Sequence, residues 1–137
     1  MRVYFDSSAF AKRYIDEAGT EDVLAWCDRA DELALSVIAV PELISAFCRL
    51  QREGRLTDVQ YQSIKNDFMA DIVDAILCDT TPQVIQHAVR ALENHFLRGM
   101  DAIHLGAAQA CAAEVFISAD ARQCRAAEGL GLQVVAL

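Results

Sequence analysis

Short apolar runs alternating with longer amphipathic segments predict an α/β fold, a three-layer α/β/α sandwich around a central, mainly parallel sheet. Three observations carry this expectation. Each strand candidate is a nearly continuous apolar run, as in a sheet covered on both faces. Helical patterns separate consecutive strand candidates, as parallel pairing requires. No repeat, low-complexity stretch or linker interrupts the 137 residues, so a single domain over residues 1–137 is expected.

Arg2 to Phe5 is a β-prone run ending at Asp6 and reads as the first strand. Ser7 to Ile15 has helical spacing, with Ala9, Phe10 and Tyr14 as its apolar stripe. Gly19 and Thr20 break it. Thr20 is placed to cap a helix over Glu21 to Arg29, with Val23, Leu24 and Cys27 as the buried face. Leu33 to Val37 is the second strand. Pro41 suits the first turn of a helix that runs from Glu42 to Gln51, with Leu43, Phe47 and Leu50 on one side. Arg49 to Arg55 forms a polar hinge around Gly54, after which Thr57 caps a long helix to about Val73. Ile76 to Asp79 is a third strand. Thr81 and Pro82 open a helix reaching about Phe96, and Gly99 ends that element. Asp101 to Ala113 is a helix dense in small residues, and Val115 to Ser118 a fourth strand. Ala121 to Glu128 is a short helix, and Gln133 to Leu137 a final strand.

Composition narrows the class. Hydrophobic residues at 54% and charged residues at 23% exclude a disordered chain. No apolar run approaches the roughly 20 residues of a membrane span. The early Asp6, Lys12 and Arg13 exclude a signal peptide. The five cysteines are odd in number, widely spaced and without a CxxC pair, so reduced thiols in a cytoplasmic protein are expected. Charge is less ordinary: 12 Lys and Arg against 20 Asp and Glu give a net charge of −8. Binding to nucleic acid then requires clustered arginines or metal ions bridging acid to phosphate. An acidic surface also suits a basic protein partner.

Ligands of parallel α/β sheets collect at the carboxyl ends of the strands, which selects among the acids. Asp6 follows the first strand, and Asp120 lies just past the fourth. Glu42 stands in the first turn after the second strand, and Asp101 begins the small-residue helix. Helix capping explains any one of them singly. The apolar neighbours of Asp6 and Asp101 carry both toward the interior, and no Lys or Arg in these motifs offers a partner. Buried acids without bases call for protons or hard divalent cations, Mg²⁺ or Mn²⁺. Such ions can hold a phosphodiester, activate a water and stabilise the leaving oxygen.

The order of Asp6 in VYFDSSAFAKRY, Glu42 in VPELISAF, Asp101 in GMDAIHLGAA and Asp120 in FISADARQ resembles the PIN-domain ribonucleases, above all the VapC-type toxins of bacterial toxin–antitoxin pairs. The resemblance covers the whole chain and implies a metal-dependent endoribonuclease that uses Mg²⁺ or Mn²⁺. It implies Asp6 and Asp101 as principal metal ligands, Glu42 as a positioner of metal or water, and Asp120 as the completing acid. Ser8 and Ser118 match positions where the family often places a hydroxyl or amide that orients the acids. The implied substrate is RNA, with transfer or ribosomal RNA as usual targets. The implied partners are a VapB-type antitoxin, whose tail crosses the active-site groove, and a second copy in a homodimer.

Other residues read more plainly. His104, three residues after Asp101, shares its helical face and is expected to pack or to support the acids rather than act as a base or ligand. His87 and His95 read as surface, as does the Arg49, Arg52, Arg55 series. Lys12 and Arg13 are candidates to flank a substrate groove, while Trp26 and Phe68 read as packing. A phosphatase or phosphotransfer receiver using Asp6 expects a second Asp two residues on, where Ser8 stands. The rival from another class is a catalytically silent PIN-like module that binds RNA or protein. The intact acid set argues against it, although four carboxylates do not by themselves tell RNA from DNA.

Overall fold

The computed structural model describes residues 1–137. Five strands, β1 (Arg2–Phe5), β2 (Glu32–Ser36), β3 (Ile76–Cys78), β4 (Val115–Ser118) and β5 (Gln133–Ala136), form one sheet in the order β3-β2-β1-β4-β5. Every pairing is parallel. The central strands β1 and β4 are the most deeply buried, so their carboxyl ends open at the middle of one sheet edge.

Side-chain alternation builds the layers. Val3, Phe5, Leu35, Val115 and Ile117 point into one core. Tyr4, Ala34 and Phe116 point into the other. The first core is covered by α1 (Ser7–Phe10), α2 (Thr20–Arg29), α3 (Ala39–Arg52) and α4 (Asp58–Asp74). The second is covered by α5 (Pro82–Asn94), α6 (Gly99–Ala110) and α7 (Ala121–Gly129). The fold is thus the expected three-layer sandwich. Phe68 is fully buried, with the rings of Phe10, Tyr14 and Phe47 at centroid distances of 5.5–6.3 Å. Trp26 is half-buried against the same core, with the Arg29 guanidinium 4.3 Å from its ring centre.

Small residues let α5 and α6 approach closely. A methyl group at Gly106 would lie 2.5 Å from the Val84 carbonyl oxygen and 3.2 Å from the Ala88 nitrogen, both backbone atoms. No helix is long and apolar enough to cross a membrane, and none of the five cysteines is disulfide-bonded.

Several boundaries differ from the sequence reading. Helix α1 tightens into a 3₁₀ turn over Ala11–Arg13 instead of running to Ile15. Thr20 is not a cap: left-handed Gly19 (φ 95°) precedes α2, and Thr20 Oγ1 donates to the Lys12 carbonyl at 2.8 Å and accepts from the Glu17 nitrogen at 3.0 Å. Leu24 turns outward, 40% exposed, because Val23 and the partly buried Trp26 and Cys27 take the inner face. Gly99 opens α6 rather than ending α5. Helix α5 stops at Asn94, whose side chain donates to the Arg90 carbonyl at 2.8 Å, and His95 is already extended. The capping box at Thr57 and the Thr81 cap are both formed, through Gln60 and the Val84 nitrogen.

Candidate active site

Asp6 is where the central strand gives way to a helix. Its backbone nitrogen still bonds Ile117 of β4, and its side chain caps α1 by accepting from the Ala9 nitrogen at 2.9 Å. At 1% exposure it is one of the few buried charged groups. Ser118 donates to Asp6 Oδ2 at 2.6 Å, Ser8 to Oδ1 at 2.8 Å, and the Gln123 amide to Oδ2 at 3.0 Å. Burial nonetheless pushes the Asp6 carboxyl above its ordinary value, against the pull of the Ser118 and Ala9 hydrogen bonds.

Asp101 stands in the first turn of α6, half-buried, where a negative side chain suits the helix dipole. Burial and then the charge of Asp120 push its carboxyl up. Its Oδ1 accepts from the same Gln123 Nε2 at 3.2 Å. Asp120 caps α7, with Oδ1 accepting from the nitrogens of Arg122 at 2.8 Å and Gln123 at 3.3 Å.

Glu42, in the first turn of α3, accepts from Ser7 Oγ at 2.7 Å and pairs with His104 Nε2 at 2.7 Å. Burial raises its carboxyl, but the hydrogen bonds from His104 and Ser7 outweigh burial and hold it below the ordinary glutamate value. His104 is 2% exposed, with Nδ1 2.8 Å from the Tyr4 hydroxyl. A carboxylate only accepts, so Nε2 carries the hydrogen toward Glu42. In the neutral ring Nδ1 then accepts from Tyr4. His104 therefore supports Glu42 from within the core.

The four acids thus come to one sheet edge. No group of three or more His, Cys, Asp and Glu side chains is arranged to hold a metal ion. Protein donors reach these carboxylates: hydroxyls and an amide on Asp6, Ser7 and His104 on one oxygen of Glu42, helix nitrogens on one oxygen of Asp120. The donor chemistry still suits a hard cation. Oxygens of Asp6 and Asp101 both lie within 3.2 Å of one nitrogen, with no Lys or Arg paired to either. Mg²⁺ commonly takes one or two carboxylates and fills its sphere with water and phosphate oxygens.

Basic residues divide around this edge. Lys12 and Arg49 line a recess with Ser7, Ser8 and Glu42, while Arg13 turns away to Asp71 at 2.9 Å. Arg52 and Arg55 are exposed on and beyond the end of α3. His87 and His95 are half-buried rather than fully exposed, lining a cleft with Arg90 and Asn94. A groove of about 610 Å³ between α5 and α6 is lined by Ile85, Val89, Leu92 and Met100 together with Glu42 and Asp101. Sequence reasoning missed Ser7, Tyr4 and above all Gln123. The signal for Gln123 was its place in the first turn after Asp120.

A model of the PIN domain matches residues 3–129. The chain belongs to the PIN-domain family. It is 34% identical over 108 residues to Ribonuclease VapC45 and to Ribonuclease VapC49, both of Mycobacterium tuberculosis, covering 79% of this chain and 75% of each relative. These relatives set it with the VapC-type members. Among solved structures, FitAcB from Neisseria gonorrhoeae superposes with a TM-score of 0.72 at 17% identity, covering 96% of this PIN chain and 95% of that one. A toxin–antitoxin complex from Klebsiella pneumoniae gives 0.70 at 16% identity, covering 98% and 96%. At these identities the structural likeness shows the fold.

Proposed function

We propose that this PIN domain is a metal-dependent endoribonuclease, the toxin of a toxin–antitoxin pair, cutting RNA phosphodiester bonds at the edge formed by Asp6, Glu42, Asp101 and Asp120. The observation that carries the reading is the pair Asp6 and Asp101, two inward-facing carboxylates raised by burial and held without a cationic side chain. Ribonuclease relatives at 34% identity supply the substrate class.

Asp6 and Asp101 would hold Mg²⁺ or Mn²⁺, which when bound neutralises phosphate charge and lowers the pKa of a bound water. The chain's own residues do the rest. Ser8, Ser118 and the Ala9 nitrogen fix the Asp6 carboxylate against rotation. Glu42, kept ionised by His104 and Ser7, offers its second oxygen as a hydrogen-bond acceptor for water. Asp120 adds negative charge beside Asp101. Lys12 and Arg49 in the neighbouring recess suit backbone phosphates flanking the cut.

The apolar groove between α5 and α6 runs to Glu42 and Asp101 and suits the tail of an antitoxin. A basic tail residue would meet the acids there, in keeping with a chain of net charge −8. A homodimer, in the cytoplasm, completes the reading. Incubation of the purified chain with end-labelled RNA tests the activity. Discrete cuts with Mg²⁺ or Mn²⁺, lost in chelator and in Asp6→Asn and Asp101→Asn, are expected. Cutting that survives both substitutions overturns the assignment, and a folded chain that never cuts favours the silent binding module.

A further inference from the structure

Gln123 carries the one buried side-chain polar atom in the protein with no hydrogen-bond partner, its amide oxygen Oε1. The residue is 3% exposed. Its Nε2 lies 3.0 Å from Asp6 Oδ2 and 3.2 Å from Asp101 Oδ1, so one amide spends both hydrogens on two different carboxylates. Turning the amide over would face its oxygen to two anions, so the carboxylates fix which end points at them. The orphaned oxygen is the cost of that orientation.

An amide NH₂ between two carboxylates supplies weakly what a cation supplies strongly: positive charge shared by both. The nitrogen faces the two acids, Asp6 and Asp101, that would hold a hard cation. Amide and cation would compete for the same pair of carboxylates. The backbone of Gln123 is anchored, its nitrogen accepted by Asp120 Oδ1 at 3.3 Å, but the side chain beyond Cα has three rotatable torsions.

We propose that the Gln123 carboxamide is a placeholder for the cation, bridging Asp6 and Asp101 in the metal-free protein and swinging out when the ion enters. This rests on the metal-dependent reading of the site. The placeholder stabilises the empty centre and lowers its affinity for the ion. Gln123 is a positioning residue that acts through the two carboxylates and sets how readily the PIN domain is loaded.

The test is Mn²⁺ titration of the chelator-treated full chain by calorimetry, comparing wild type with Gln123→Met, which keeps the bulk and removes the amide. Gln123→Asn, one methylene too short to span both acids, serves if the first variant does not fold. Without the pair of charge-assisted hydrogen bonds to break, Mn²⁺ is expected to bind on the order of tenfold more tightly. The metal-free variant should melt below wild type, yet gain more in Tm from saturating Mn²⁺. Equal or weaker affinity overturns the placeholder, and a merely structural glutamine would lower Tm with and without Mn²⁺ alike. If wild type binds Mn²⁺ and Gln123→Met binds it no better, the metal reading stands and only the placeholder falls. If neither binds Mn²⁺, both fall.

Discussion

His104 Nε2 lies 2.7 Å from Glu42 Oε1, tying the middle of α6 to the first turn of α3 across the core edge. The pair is half hidden: the imidazole is 2% exposed and the carboxylate 33%. Glu42 thereby reaches the site from a fixed base, backed in turn by Tyr4 on the central strand.

Replacing His104 by alanine is expected to destabilise the PIN domain by about 3 kcal/mol, from a cavity plus two stranded partners. Urea denaturation measures this. Tyr4→Phe, which strands only Nδ1, should cost about 1–2 kcal/mol. A His104→Ala chain of native stability would remove the imidazole from the architecture.

Asp101→Asn should make the metal-free protein more stable while ending cleavage. Burial and the charge of Asp120 both raise the Asp101 carboxyl, and the substitution relieves both. A rise of roughly 2–6 °C in Tm is expected by calorimetry in chelator. A fall would mean that the Gln123 bridge outweighs the repulsion.

Acid should act in two directions. Asp6 and Asp101 sit above the ordinary aspartate value of 3.8, so the native state takes up protons first. Their cost to stability is fully present above the raised values and is relieved as pH falls through them. Glu42 is depressed: its contribution is present above 4.5 and is lost as pH falls through its lower native value. The Tm of the metal-free chain should therefore rise on mild acidification from neutrality and then drop. Thermal scans across pH, with a smaller rise in Asp101→Asn, check the assignment.

Gly106→Ala should destabilise by about 2–3 kcal/mol although alanine is the better helix former by ~1 kcal/mol. The added methyl meets backbone of α5, which no rotamer change can move aside. A neutral result by chemical denaturation would show that α5 and α6 separate at little cost.

Much of this was legible in the sequence because it was written in local patterns. The apolar run ending at Asp6 announced both a strand and its carboxyl end, and Thr57 and Thr81 announced their helices. Gly99 misled because glycine stops helices by conformation but also starts them where no side chain is needed. Leu24 misled because a short helix spreads its apolar residues over more than one face. The spacing of Asp101 and His104 showed a shared face, but the partners of His104 lie 62 and 100 residues away. Gln123 looked like any polar residue of a surface helix, since its burial depends on packing near Asp6, 117 positions upstream.

That distance has a bearing on how the protein is made. Ser118, the last residue of β4, and Gln123 of α7, which both donate to the Asp6 carboxylate, leave the ribosome 112 and 117 residues after it. A growing chain that stops short of β4 has Asp6 with Ser8 and the Ala9 nitrogen but without Ser118 and Gln123. The edge at which the four acids meet is therefore complete only once α7 has been made.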